Sequence, residues 1–74
     1  MERALTLGEQ RVRMDFNPAG NPDVKTIKEA VASMIDFIEA HKIVDPRLGS
    51  LAQTAFEEGA MWAVKLVTTP PTSN

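Results

Sequence analysis

Cysteine and tyrosine are missing from this 74-residue chain, and tryptophan and histidine occur once each. Without cysteine there is no disulfide, and with one histidine there is no zinc cluster to staple a small fold. A chain this short buries a modest fraction of its surface. That leaves unusually good helix packing or self-association, and self-association is the expectation. Strong positive charge is also missing: the formal net charge is −2, which argues against a protein that coats nucleic-acid polymers. Small anionic ligands remain open, because a pocket needs only a few local cations, and Arg11, Arg13, Lys25, Lys28 and Lys65 could supply them. No apolar run approaches a membrane span, and residues 1–8 lack the apolar core of a secretion signal. The chain reads as cytosolic and soluble.

What is present is organised around Phe16-Asn17-Pro18-Ala19-Gly20-Asn21-Pro22-Asp23-Val24. Pro18 and Gly20 punctuate the backbone, Asn21 offers a side-chain oxygen as N-cap, and Pro22 suits the first helical position. The amides of that helix start point outward with Lys25 and Lys28 in the first two turns, an arrangement suited to an anion such as phosphate. Val24, Ile27, Val31, Met34 and Ile38 then form one stripe, widened by Ala30, Ile35 and Phe37. The pattern predicts a helix over about 22–42 whose apolar surface exceeds what one partner helix covers. Lys28 sits at the border of the stripe, its stem able to pack while its ammonium reaches outward.

Asp45-Pro46 repeats the cap-and-proline signal and predicts a second helix over about 46–67. Two helices joined by so short a turn pack antiparallel. Leu48, Leu51, Ala52, Ala55, Phe56, Gly59, Trp62, Ala63 and Leu66 share its expected inner face, with Trp62 a core residue. Gly59 inside a helix costs on the order of 1 kcal/mol relative to alanine, which close packing would explain. Arg47, Thr54, Glu58, Met61 and Lys65 fall on another face, where exposed Met61 suggests a contact surface. Before residue 16 the pattern is weak, and a short strand or a short helix both fit Leu5, Leu7, Val12 and Met14. If that part is extended, Arg11 and Arg13 share a face. The fold expected is all-α: a single domain over 1–74, an antiparallel helical hairpin with a short N-terminal arm (1–20) and a frayed or extended tail (68–74), assembling into a symmetric homo-oligomer.

Material for catalysis is thin. His41 falls at the C-terminal end of the first helix, where it suits capping or solvent exposure. Adjacent Glu57 and Glu58 point in different directions and make no catalytic pair. No Walker-type glycine loop is present. No enzyme and no cofactor is expected. Binding has better material: Phe16, ahead of a helix start, could stack on a nucleobase while Lys28 reaches a phosphate, stacking being worth about 1 to 3 kcal/mol per base. The plainer alternative is that Phe16 anchors the loop on the hairpin and Lys65 is merely solvated.

Gln10-Arg11-Val12-Arg13, the run Phe16 to Val24 and Ile27-Lys28, followed by Thr54, Glu57 or Glu58 and Ala60-Met61-Trp62-Ala63-Val64-Lys65, resemble the hairpin domain of phage anti-CBASS and anti-Thoeris cyclic-nucleotide sponges. The resemblance runs from about Glu9 to Lys65. It implies a non-enzymatic role in the cytoplasm of an infected bacterial host: sequestering the immune second messengers made there, cyclic di- or trinucleotides or cyclic ADP-ribose isomers, without cleaving them. It also implies dimers and commonly hexamers, with ligand pockets between protomers. By matching position, Phe16 would stack on a base, Lys28 would meet phosphate and Lys65 would serve a separate trinucleotide site, where some members' threonine is Ala30 here. The ligand-binding candidates are Phe16, Asn17, Asn21, Lys25, Lys28, Arg11, Arg13 and Lys65. The competing expectation, from another class, is a structural or protein-binding hairpin with no small-molecule ligand.

Overall fold

The computed structural model describes residues 4–17 and 19–70. Residues 1–3 of the arm, Pro18 of the turn and residues 71–74 of the tail lie outside the described residues. Three helices follow one another: α1 (Leu7–Arg11), α2 (Pro22–His41) and α3 (Pro46–Thr68). The two long helices stop within one residue of the expected ends.

The open choice in the arm resolves to helix. Thr6 Oγ1 accepts from the Glu9 amide at 3.1 Å and the Glu9 carboxylate accepts from the Thr6 amide at 2.9 Å, a reciprocal capping box that starts α1. At the other end Arg13 takes a left-handed conformation, φ 55°. Its amide donates to Gln10 O at 3.2 Å and that of Met14 to Glu9 O at 2.9 Å, which satisfies the last carbonyls of α1. Arg11 and Arg13 therefore do not alternate along a strand; one ends a helix and the other turns the chain.

Helix α1 lies against the middle of α2. The Gly8 amide donates to Asp36 Oδ1 at 2.7 Å, and a Cβ at Gly8 would stand 2.1 Å from the Ala32 carbonyl oxygen. Only glycine permits that approach. Asp36 is thus a half-buried acceptor for α1. Helices α2 and α3 start as their sequences dictate, on Asn21 and Asp45 caps with proline first in each helix. The four residues 42–45 between them fold α3 back along α2.

The core is small and rotated from expectation. Val12, Ala32, Ile35 and Ala60 form its centre, with Leu7, Met14, Ile27 and Val31 packed around them. On α2 the buried set is Val24, Lys28, Ala32 and Ile35, whereas Met34 of the expected stripe is exposed. On α3 the correction is larger: Gln53 and Ala60 are buried, while Leu48, Leu51, Trp62 and Leu66 face away. Trp62, expected in the core, is 68% exposed. Nor does close packing explain Gly59, since a Cβ there would meet nothing within 4 Å. Gln53 is fully enclosed; its Nε2 donates to Ile35 O at 3.2 Å and to Glu39 Oε1 at 2.9 Å, while its own Oε1 has no hydrogen-bond partner.

The result is a flat plate, 48 × 38 × 12 Å, with a radius of gyration of 14.0 Å against about 11 Å for a compact domain of this length. Much apolar surface stays uncovered, and Ile43 and Val44 at the hairpin tip are 90% and 85% exposed.

Candidate functional site

Where α1, the loop after it, α2 and α3 meet, an open groove of about 490 Å³ is lined by Arg11, Val12, Arg13, Phe16, Lys28, Glu57, Ala60, Met61 and Val64. Each helix contributes for a local reason. The left-handed turn at Arg13 swings the chain off α1, so Arg11, Arg13 and Phe16 surround one opening instead of following one another along an extended edge. Phe16 is 63% exposed at its lip. The reading in which this ring anchors the loop by burial is not what the single chain shows.

Lys28 is the pivot, and it sits differently from expectation. It is only 6% exposed, and its ammonium turns inward to the loop rather than outward. Nζ donates to Arg13 O at 2.8 Å and also to Phe16 O, and it stands 5.5 Å from the centroid of the Phe16 ring. The reason is electrostatic. Two loop carbonyls converge where a lysine at the core edge ends, and a buried ammonium requires such acceptors. Burial, with the positive Arg13 nearby as the lesser cause, holds the Lys28 pKa below its ordinary value. An ammonium carries three N–H groups, so one remains for the groove.

Arg11 reaches across to α3, its Nη1 lying 3.2 Å from Glu57 Oε2. This ion pair is half exposed and contributes little stability, but it fixes one side of the groove. Three cations stand against one carboxylate in the lining, which favours an anion. On the far side of the same loop a shallower hollow of about 290 Å³ is lined by Leu5, Gln10, Arg13, Met14, Asp15 and Phe16. The segment 13–16 thus forms a wall between two depressions.

Of the sequence candidates, Arg11, Arg13, Phe16 and Lys28 come together here. Asn17 and Asn21 instead brace the loop: Asn17 Nδ2 donates to Asn21 O at 2.9 Å and the Asn21 amide to Asn17 Oδ1 at 3.1 Å. The expected anion site at the start of α2 has no spare amide. Asn21 Oδ1 takes those of Asp23 and Val24 at 2.8 and 3.2 Å, and Asn21 O takes that of Lys25 at 3.1 Å. Lys25 is exposed outside the groove lining. Lys65 is outside it too, its Nζ 5.5 Å from the Trp62 ring centroid. His41 is exposed at the end of α2, with its Nδ1 2.8 Å from Phe37 O one turn back. Glu57 and Val64 were missed as lining residues; a contact between positions 46 apart in sequence leaves no local signal.

Among the described residues no group of acidic, histidine or cysteine side chains stands together to hold a metal ion, and no helix is long and apolar enough to cross a membrane. A family model described as "Acb2/Tad1, hairpin domain" matches residues 8–68. No curated protein and no solved structure gives a match to the chain.

Proposed function

The chain belongs to the Acb2/Tad1 hairpin family, the family of anti-CBASS and anti-Thoeris sponges, and from that premise we propose that it binds and sequesters cyclic nucleotide immune second messengers without cleaving them. The ligand is a cyclic di- or trinucleotide or a cyclic ADP-ribose isomer, and the site of action is the cytoplasm of a bacterium under phage attack. One observation carries the reading: exposed Phe16 stands at the lip of a groove that also holds Arg11, Arg13 and Lys28. An exposed ring able to stack and positive charge lining the same groove are the two elements a nucleotide needs.

The groove is open along one side, so a second protomer would complete it. In a symmetric assembly each pocket residue appears twice, which suits a ligand with two bases and two phosphates. A dimer-based hexamer is the assembly proposed. The one carboxylate of the lining, Glu57, is held by Arg11, which supports capture rather than acid–base chemistry.

Calorimetric titration of the purified protein with a panel of cyclic di- and trinucleotides and cyclic ADP-ribose isomers tests the proposal. Micromolar or tighter binding, with the ligand recovered unchanged after heat denaturation, is expected. No heat with any member of the panel would sink the sponge reading, and recovery of a cleaved product would make the protein an enzyme. A second reading, a hairpin that docks another protein, draws on the uncovered apolar residues of α3 and the hairpin tip.

A further inference from the structure

A groove built only to hold phosphate has no use for a carboxylate, yet Glu57 stands in this lining among three cations. It belongs to α3, while Arg13 and Lys28 are joined on the loop side, Lys28 Nζ bonding to Arg13 O at 2.8 Å. Arg11 takes one of its oxygens, Nη1 to Oε2 at 3.2 Å, and Oε1 accepts from no group among the described residues. A carboxylate has about four lone-pair sites, so an arginine on one of them leaves room for two further donors side by side, one on each oxygen. The side chain is 36% exposed. Glu57 is therefore held in direction by its partner and still open to whatever enters the groove.

We propose that Glu57 reads the Watson–Crick edge of a base in the groove and selects guanine, with Arg11 as the positioning residue that aims it. The inference rests on the reading of the groove as a cyclic nucleotide site. A carboxylate repels phosphate, so the phosphate of a bound nucleotide goes to Arg13 and Lys28 on the loop side. The Watson–Crick edge is the part of a nucleotide farthest from its phosphate, with the sugar between them. A base stacked on Phe16 thus turns that edge toward α3. Guanine alone among the bases carries two adjacent donors there, N1–H and the N2 amine, which match the two oxygens of a carboxylate. Adenine offers one donor beside the lone pair of N1, and that lone pair would face a carboxylate oxygen. The site therefore favours guanine-bearing messengers over those, such as cyclic ADP-ribose isomers, whose base is adenine.

Calorimetry with cyclic dinucleotides carrying two guanines, two adenines or two hypoxanthines tests it, since with identical bases the one that enters the groove is always the same. Wild-type protein should bind the guanine ligand about tenfold or more tighter than the adenine ligand. Hypoxanthine, which keeps N1–H and lacks the N2 amine, should fall between. Glu57→Gln preserves the shape of the side chain but offers one acceptor and one donor, the pair that complements adenine, so the guanine-to-adenine affinity ratio should drop by about tenfold or more. Arg11→Met leaves Glu57 unaimed and should shrink the same ratio. The helical circular dichroism of both variants should persist, because a half-exposed ion pair contributes little to stability. Equal wild-type affinities for guanine and adenine would overturn the inference and leave the cyclic nucleotide reading standing. So would a Glu57→Gln protein weakened by the same factor toward every base, the result expected of a ribose contact or a merely structural ion pair. No heat with any of the three also overturns it, and silence from the whole messenger panel sinks the sponge reading with it.

Discussion

Lys28→Met is the substitution that asks most of the site as described. Methionine preserves the stem that packs at the edge of the core and removes the ammonium that ties Arg13 O and Phe16 O to α2. Two charge-assisted bonds would each contribute about 1.5–3 kcal/mol, but confining a charge at a 6% exposed position offsets part of this. The depressed pKa records that opposing cost. The net loss is about 1–3 kcal/mol, which for a domain of this size lowers the melting temperature by on the order of 5–15 °C. Thermal unfolding followed by circular dichroism reads it directly, without ligand. The pH dependence adds a sign. Since the folded chain holds the Lys28 proton less tightly than the unfolded chain does, unfolding takes up a proton in the alkaline window between the depressed value and the ordinary lysine value. Wild-type stability, measured relative to Lys28→Met, should rise with pH through that window. A melting temperature for Lys28→Met within about 1 °C of wild type would refute the idea that this lysine organises the loop.

Two further outcomes follow from geometry. Phe16→Ala should leave the melting temperature unchanged, because the ring is exposed, while weakening nucleotide binding about 10- to 100-fold in the calorimetric titration. Gly8→Ala drives a methyl against the Ala32 carbonyl, whose atoms cannot yield as a side chain would, and should cost about 1–3 kcal/mol with faster amide hydrogen exchange across α1.

How far the fold could be read in the sequence depended on how local each signal was. Asn21-Pro22 and Asp45-Pro46 put both long helices in place because a cap and its proline act over one turn. The same logic was available in Thr6 and Glu9, but five helical residues are too few for periodicity to show, so α1 stayed ambiguous with a strand. The inner face of α3 was misjudged for a different reason. Periodicity shows that a face is apolar, not whose surface it meets, and the larger apolar face of α3 turns away from its own chain. What faces α2 is Gln53 and Ala60, which no hydrophobicity pattern would select. At the groove, Phe16 and the two arginines were legible from the segment that carries them. The inward turn of Lys28 was not, because the carbonyls that draw it in are placed by the left-handed turn at Arg13, which an arginine does not announce.

Gln53 has a consequence of its own. Its amide grips Ile35 O and the Glu39 carboxylate, one turn apart on α2, from inside a seam otherwise made of small and aliphatic side chains. Such a seam has little to choose between neighbouring alignments, and helices that pack on alanine and valine can slide by a turn at small expense. Sliding α3 against α2 would tear the amide from both acceptors and strand it without water. The amide nitrogen therefore acts as a tooth in a ratchet, permitting the joint only one notch, while the uncompensated oxygen beside it weakens the joint slightly. That single notch keeps Glu57 opposite Arg11 and Val64 in the lining of the groove, so the groove is indexed by a residue that never touches it.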